Sequence, residues 1–199
     1  PLGRPTETEG LKKVCVVGGG VGCAIALPIA KELHAKGCEV TSIIGFRSRD
    51  LVILEDEFKA ASKKFFMMTD DGSYGRQGNV CVPLNEMLAA GEKFDAVITI
   101  GPLIMMKFVC AATKPYGIKT IASMNPIMID GTGMCGACRV SVGGKTYFTC
   151  VDGPEFDAHQ VDFDEAMRRQ GMYRTQEQRA AAIEAEREAG HVCKIGLDK

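Results

Sequence analysis

The feature that most constrains the fold is an alternation of apolar strands with helical patterns through the first 123 residues. Apolar runs at 14–17, 39–45, 64–69, 94–100 and 118–123 alternate with helical patterns at 23–36, 50–63, 83–90 and 102–113. Strands that are apolar throughout are typical of a parallel sheet covered by helices on both faces. The sequence therefore predicts an α/β fold with a doubly wound, Rossmann-like parallel sheet, whose ligands bind at the carboxyl ends of the strands.

The pattern changes after residue 124, where glycines and cysteines replace the regular alternation. Two short strands, at 138–142 and 145–149, are joined by Gly143-Gly144, which is a typical hairpin turn. A charged helical pattern then extends from Phe163 to Ala189. We expect a small module followed by a helical tail. The part of the tail from Thr175 is interpreted as a solvated helix, with contact to a partner subunit as the alternative.

The composition excludes several classes of function. A net charge of −1 provides no field that would attract nucleic acid, and no apolar run reaches the roughly 20 residues of a membrane-spanning helix. Most of the nine cysteines are spread singly through apolar segments, as in a reduced protein that uses them as small buried side chains. We therefore expect a cytoplasmic protein that binds neither nucleic acid nor a membrane.

A glycine-rich turn joins the first strand to its helix. Gly18, Gly20 and Gly22 lack Cβ atoms, so a phosphate can approach the backbone amides at the positive end of the helix. The dinucleotide pattern G-x-G-x-x-G is not met, because Cys23 holds its third position and the second strand runs into Arg47 instead of an acidic residue. An ordinary NAD site is therefore disfavoured, and a tight turn without a ligand stays open.

Further candidate contacts follow the third and fourth strands. Asp70-Asp71-Gly72-Ser73 offers carboxylates and a hydroxyl to a ribose, and Gly101-Pro102 opens the next helix near the same crevice. Both stretches are otherwise ordinary turn sequences. Their convergence on one edge of the sheet favours contact with a ligand.

Three cysteines cluster in the module after residue 124. Cys135 and Cys138 form a Cys-x-x-Cys pair, and Cys150 arrives on the far arm of the hairpin. Zinc normally takes two such pairs or added histidines, whereas a plant-type [2Fe–2S] loop runs C-x4-C-x2-C with a distant fourth cysteine. Asp130 stands where the first cysteine of that loop would be, giving D-x4-C-x2-C. The spacing favours an iron–sulfur cluster over zinc or no metal, with Asp130 either as the fourth ligand or as a turn residue.

Together these motifs resemble one family. The resemblance rests on Gly18–Gly22, Gly45-Phe46-Arg47, Leu54–Phe58, Asp70–Gly75, Ile100–Met105 and the cysteine loop. These stretches are similar to the electron-transfer subunit of dihydroorotate dehydrogenase, sulfide dehydrogenase and the small subunit of NADH-dependent ferredoxin:NADP oxidoreductase, all of the ferredoxin reductase superfamily. An aspartate at the position of Asp130 resembles the sulfide dehydrogenase and transhydrogenase branch.

The resemblance implies a function and a set of ligand contacts. Electrons would pass from NAD(P)H through FAD to a [2Fe–2S] cluster and on to a catalytic partner subunit. The implied nucleotide contacts are Gly19, Gly20, Val21 and Gly22 at the pyrophosphate, Phe46, Arg47, Asp71, Ser73 and Tyr74 at the adenosine half, and Gly101, Pro102 and Met105 near the nicotinamide. The implied cluster ligands are Asp130, Cys135, Cys138 and Cys150. No residue is assigned a catalytic role, because Ile100 stands where many ferredoxin reductases carry a cysteine.

The resemblance also implies a division into domains. Residues 1–10 resemble the closing segment of a flavin-binding barrel, 11–123 a ferredoxin reductase NAD(P)-binding domain, 124–160 the [2Fe–2S] module and 161–199 a helical tail. Because the barrel would hold most of the FAD, we expect this chain by itself to bind little flavin and to be inactive. The alternative function is a non-catalytic iron–sulfur or zinc module that senses redox state or docks a partner.

Overall fold

A seven-stranded sheet organises the computed structural model, which describes residues 3–189. The strands are β1 (Lys13–Gly19), β2 (Glu39–Phe46), β3 (Lys64–Thr69), β4 (Arg76–Gln77), β5 (Ala96–Ile100), β6 (Thr120–Ser123), β7 (Arg139–Val142), β8 (Lys145–Phe148) and β9 (Glu155–Asp157). The helices are α1 (Gly22–Ala35), α2 (Glu55–Ala60), α3 (Cys81–Ala89), α4 (Leu103–Thr113), α5 (Thr149–Asp152), α6 (Phe163–Gln170) and α7 (Arg174–Ala189).

The sheet has the strand order β4-β3-β2-β1-β5-β6-β9, and β1 lies at its centre between two parallel neighbours. The predicted α/β fold with a parallel sheet is confirmed. The structure adds two edge strands that the sequence pattern did not reveal. The two-residue strand β4 lies within the predicted loop 70–78, and β9 pairs antiparallel with β6. The hairpin of β7 and β8 forms a separate small sheet.

The prediction of one continuous helix over 50–63 was wrong. The structure has a single 3₁₀ turn at Arg49–Leu51 and then the short helix α2. Between them Leu54 adopts a left-handed conformation with φ of 60°, which interrupts a right-handed helix. The prediction for the tail holds in outline: residues 163–189 are helical, with a break after Gln170.

Apolar packing joins the cluster module to the sheet. The two faces of the sheet carry separate buried clusters, one containing Val14 and Val16 and the other Cys15 and Val17. A third cluster brings Met106 of α4 against residues of β7 and α6. The module is therefore fixed on the sheet by a shared core, while the described side chains of α7 are exposed.

Most of the cysteines lie where the composition suggested. Cys15, Cys23, Cys38 and Cys110 are buried, whereas Cys193 lies outside the described residues. Over residues 3–189, none of the helices has the length and apolar character to cross a membrane.

Candidate functional site

The glycine turn after β1 packs directly against the loop that follows β5. A Cβ atom built on Gly22 would lie 2.6 Å from the carbonyl oxygen of Ile100 and 2.8 Å from Cα of Gly101. One built on Gly19 would overlap the sulfur of Met105. The turn thus brings the predicted pyrophosphate and nicotinamide contacts together at the carboxyl edge of the sheet. Close packing of protein on protein is one reason for these glycines, independent of any ligand.

Cys23 departs from the usual glycine pattern because it serves as a packing residue. A Cβ on Gly18 would lie 2.9 Å from Sγ of Cys23, so the thiol fills the space over the end of β1. Burial raises the pKa of Cys23 to about 12, which keeps this thiol protonated. Cys23 is therefore a small hydrophobic side chain in the turn and not a nucleophile.

The N-terminus of α1 is open to an anion. The amides of Gly20, Cys23 and Ala24 already donate to backbone carbonyls, so the donors left for an anion at this end of the helix are those of Val21 and Gly22. Helix α1 has no acidic residue in its first turn and no side-chain cap, and Val21 beside it is 81% exposed. A pyrophosphate would find backbone donors and the positive end of a helix here.

The predicted adenosine contacts form a hydrogen-bonded patch at the ends of β2 and β3. The amide of Asp71 donates to the carbonyl of Arg47 across 3.2 Å, and Ser73 donates to Oδ1 of Asp71 from both its amide (2.9 Å) and its hydroxyl (2.6 Å). These donors lower the pKa of Asp71, with the Ser73 hydroxyl contributing most. The side chain of Phe46 is buried in the core and supports the patch from below.

Two residues outside the set of contacts implied by the resemblance complete this patch. The guanidinium of Arg49 lies 5.4 Å from the ring centroid of Tyr74, and its amide donates to the Ser73 hydroxyl across 2.9 Å. The hydroxyl of Tyr74 donates to Glu55 across 3.0 Å. The basic pair of Arg47 and Arg49 can be recognised in the sequence. The contact of Glu55 with Tyr74 cannot, because it joins residues nineteen positions apart that only the fold brings together.

The hairpin of the cluster module places two of the predicted ligands side by side. Arg139 pairs with Phe148 in the β7–β8 ladder, so Cys138 and Thr149 come next on the facing strands. The amide of Thr149 donates to the carbonyl of Cys138 across 3.1 Å, and the amide of Cys150 points at Sγ of Cys138 at 3.5 Å. Cys138 and Cys150 are buried.

The preceding loop is organised around Asp130. Its Oδ1 accepts from the amide of Thr132 and its Oδ2 from the amide of Cys135, both across 2.8 Å. These backbone hydrogen bonds, with that from Thr132 the largest influence, lower the pKa of Asp130. The carboxylate is therefore ionised at neutral pH and holds the turn that leads to Cys135. Its second predicted role, as a metal ligand, stays a prediction.

The donor chemistry of this loop fits an iron–sulfur cluster. Three thiols and one carboxylate are present, and the amides of Ala137 and Cys150 each lie 3.5 Å from a cysteine sulfur. Amides directed at sulfur stabilise thiolates and clusters. Burial is the largest influence that raises the pKa of Cys150, so bound metal would be needed to hold this sulfur as a thiolate.

The ligands do not converge on a single ion. Among the residues the structure describes, no three His, Cys, Asp or Glu side chains stand together as a site for one metal ion. A [2Fe–2S] cluster takes two protein ligands on each iron, so its four ligands need not surround one point.

Comparison with known proteins identifies the module. Residues 125–162 match the family described as the iron–sulfur cluster binding domain of dihydroorotate dehydrogenase B. A Clostridium beijerinckii protein described as an uncharacterized protein in the adh 3′ region is 50% identical over 188 residues, covering 90% of this chain and 64% of that protein.

A named relative and a solved structure extend the match to the sheet. The Thermotoga maritima homolog of the dihydroorotate dehydrogenase B (NAD(+)) electron transfer subunit is 48% identical, covering 89% of this chain and 62% of that protein. The solved structure of an NADH-dependent reduced ferredoxin–NADP oxidoreductase has a TM-score of 0.81 and 41% identity, covering 89% of this chain and 64% of that one. This chain thus spans less than two thirds of the length of these relatives.

Proposed function

We propose that this chain, which is related to the electron-transfer subunits of dihydroorotate dehydrogenase B and of NADH-dependent ferredoxin–NADP oxidoreductase, conducts electrons from NAD(P)H by way of FAD and a [2Fe–2S] cluster to a catalytic partner subunit. The observation that carries the proposal is the cysteine module. Cys138 and Cys150 lie side by side with an amide aimed at sulfur, inside the range that matches the iron–sulfur family.

The sheet would bind the dinucleotide. The open N-terminus of α1 would receive the pyrophosphate, and the patch of Arg47, Asp71, Ser73 and Tyr74 would receive the adenosine half. Gly101, Pro102 and Met105 lie against Gly19, so the nicotinamide would rest on the loop after β5. The patch offers a suitable charge for either nucleotide: Arg47 would suit a 2′-phosphate, and Asp71 would suit a free 2′-hydroxyl.

The cluster loop would hold the metal centre. We propose Asp130, Cys135, Cys138 and Cys150 as its ligands. A [2Fe–2S] centre supplies one-electron transfer. The protein contributes the burial of two ligands and the amides that face the sulfurs, while Cys135 is exposed and lies on the outer side of the loop. A site that opens on one side suits transfer to a second protein.

Exposed apolar side chains around the loop support docking of a partner subunit. Met134 is 89% exposed and Ile129 is 73% exposed. A cavity of about 260 Å³ lies nearby, between the cluster loop and α6, and Ile129 and Tyr173 are among its lining residues. Apolar surface of this kind marks protein interaction sites.

Two finer points stay predictions. We expect FAD to be held mostly by a flavin-binding barrel, so that this chain alone would bind little flavin and be inactive. A cytoplasmic location is expected because the proposed ligands require reduced thiols.

Metal and sulfide analysis tests the proposal. The chain, purified without oxygen, is expected to contain two irons and two acid-labile sulfides, as the cluster formula requires. Cys150→Ser should lose most of this iron, whereas Cys81→Ser, a half-buried cysteine outside the module, should keep it. Zinc in place of iron, or equal iron in both variants, would contradict the proposal.

The alternative function is a redox-sensing or docking module without turnover. An experiment that distinguishes the two functions supplies the chain with a flavin domain from a relative, adds NADH or NADPH, and follows the absorbance of the cluster. Bleaching of the cluster absorbance by either nucleotide supports electron transfer, and a cluster that stays oxidised with both supports the sensing module.

A further inference from the structure

The segment that precedes β1 is bound to the turn that carries Cys150. The amide of Arg4 donates to the carbonyl of Gly153 across 2.6 Å, and the hydroxyl of Thr6 donates to Glu155 across 2.6 Å. A Cβ built on Gly3 would overlap the same carbonyl oxygen of Gly153. Residues 3–7, here termed the strap, therefore run in direct contact with the residues that follow Cys150.

The turn that carries Cys150 needs support from outside. Helix α5 has only four residues, which is too short for a helix to be stable by itself. On its N-terminal side, Thr149 is fixed by the carbonyl of Cys138. On its C-terminal side, the carbonyl of Gly153 is held by the strap.

The other end of the strap leads to the sheet. Glu7 pairs at 3.1 Å with Lys119, the residue just before β6. Thr8, the residue that follows the strap, is buried, and its hydroxyl accepts from the ammonium group of Lys36, just after α1, across 2.7 Å. The strap is thus anchored at both ends, and it links the nucleotide-binding layer to the arm of the module that carries one proposed cluster ligand.

We propose that the strap is a positioning element for Cys150, which fixes the sulfur for cluster binding and slows release of the metal. This inference rests on the proposed function of the module. The strap touches neither nucleotide nor cluster in this role, and it acts through the backbone of Gly153, three residues from Cys150.

A matched pair of glycines tests the strap. Gly3 and Gly10 both have φ of 73°, so alanine is strained equally at either position. Only at Gly3 does the added methyl group collide, with the backbone of Gly153, whereas Gly10 has nothing within 4 Å. The full chain is reconstituted with iron and sulfide, and the rate of iron release to a chelator is measured. Gly3→Ala is expected to release iron roughly tenfold faster than Gly10→Ala, because a displaced strap loses its hydrogen bonds to the turn.

Two further readouts separate positioning from general destabilisation. The visible circular dichroism of the cluster should change in Gly3→Ala and not in Gly10→Ala, because it depends on the orientation of the ligand sulfurs. Thr6→Val, which keeps the shape and removes only the hydroxyl donor, should give a smaller change in the same direction. Release rates and spectra equal to wild type in both Gly3→Ala and Thr6→Val would overturn the inference.

The metal-free chain distinguishes failure of the strap from failure of the proposed function. Cys150 is buried, so its alkylation rate, followed by mass spectrometry, reports how firmly its turn is held. Faster alkylation in Gly3→Ala than in Gly10→Ala supports the strap even if the chain binds no iron. Equal alkylation rates argue against the strap even if the cluster is present.

Discussion

Two glycine-rich loops carry the proposed chemistry, and they are held in different ways. The turn after β1 is fixed by packing, because Gly22 lies against the backbone of residues 100–101 with no room for a methyl group. The loop that leads to Cys135 is fixed by polar contacts, since both oxygens of Asp130 accept backbone amides. Two loops of similar composition are thus stabilised differently: the turn after β1 is packed into the sheet, and the loop that leads to Cys135 depends on the carboxylate of Asp130.

The packed loop should give the largest effect on stability. Gly22→Ala would place a methyl group 2.6 Å from the carbonyl oxygen of Ile100 and 2.8 Å from Cα of Gly101, and these backbone atoms cannot move aside cheaply. We expect the free energy of unfolding to fall by about 3 kcal/mol, at the upper end of the range for overpacked cores. Urea denaturation followed by far-UV circular dichroism measures it.

Gly20→Ala is the matched control in the same turn. Gly20 has φ of 54° and nothing within 4 Å of the methyl group that alanine would add, so this variant meets only the cost of a left-handed backbone. That cost is about 1 kcal/mol. If the two variants were equally stable, close packing would not be the reason for Gly22.

The sheet, the hairpin and the packing of the glycines differ in how far the sequence could predict them. The sheet and the hairpin followed from local patterns: apolar runs for β1, β2 and β5, and Gly143-Gly144 for the turn between β7 and β8. The helix prediction failed at Leu54, because a left-handed leucine has no local signal. The sequence did not indicate which glycines are required by packing, since the partner of Gly22 lies about eighty residues further on.

The cluster ligands were predicted by spacing, but their surroundings were not. Cys138 and Cys150 meet because of the ladder between β7 and β8, which the hairpin signal contained. The contact of Arg4 with Gly153 joins residues about 150 positions apart, and the hydroxyl of Thr6 reaches the carboxylate of Glu155 over a similar separation. Contacts of this range depend on the complete topology, so no periodicity or motif could reveal them.

Substitutions of Asp130, in the loop that leads to Cys135, should change cluster binding and hardly change the stability of the fold. Asp130→Asn keeps one of the two oxygens that accept the amides of Thr132 and Cys135 and is a poor iron ligand, whereas Asp130→Cys supplies a ligand and loses both acceptors. We expect Asp130→Cys to keep a cluster with a changed reduction potential, and Asp130→Asn and Asp130→Ala to release iron about tenfold faster. Potentiometry and chelator challenge measure these outcomes.

Each variant also tests the contrast between the loops. All three should unfold within about 1 kcal/mol of wild type in the metal-free form, because Asp130 is exposed and outside the core. An Asn variant with an intact cluster and an unchanged potential would leave Asp130 only its role in the turn.

The smallest expected effect is a difference in the pH dependence of stability between Glu155, beside the strap, and Glu92, beside the sheet. Burial is the main cause that raises the pKa of Glu155, beside the strap, although the Thr6 hydroxyl opposes it. A carboxyl group with a raised pKa in the folded state binds its proton more tightly when folded, so its contribution to stability falls as pH rises above its ordinary value of 4.5. Glu92, in the sheet region, behaves oppositely, since Lys64 and Lys13 lower its pKa. Its contribution is present above 4.5 and is lost as pH falls below that value.

Replacing Glu155 or Glu92 with glutamine tests whether the two carboxyl groups change stability with pH in opposite directions. Glu155→Gln keeps an acceptor for Thr6 and removes the buried charge, so it should equal or exceed wild type in stability at pH 8, by less than about 1 kcal/mol, and lose that advantage toward pH 4. Glu92→Gln should be less stable than wild type at pH 8 and approach it toward pH 4. Urea denaturation at both pH values decides the matter. If Glu155→Gln were the less stable protein at pH 8, the ionised carboxylate would be a favourable partner of the strap, and the strap would be held by charge as well as by the backbone of Gly153.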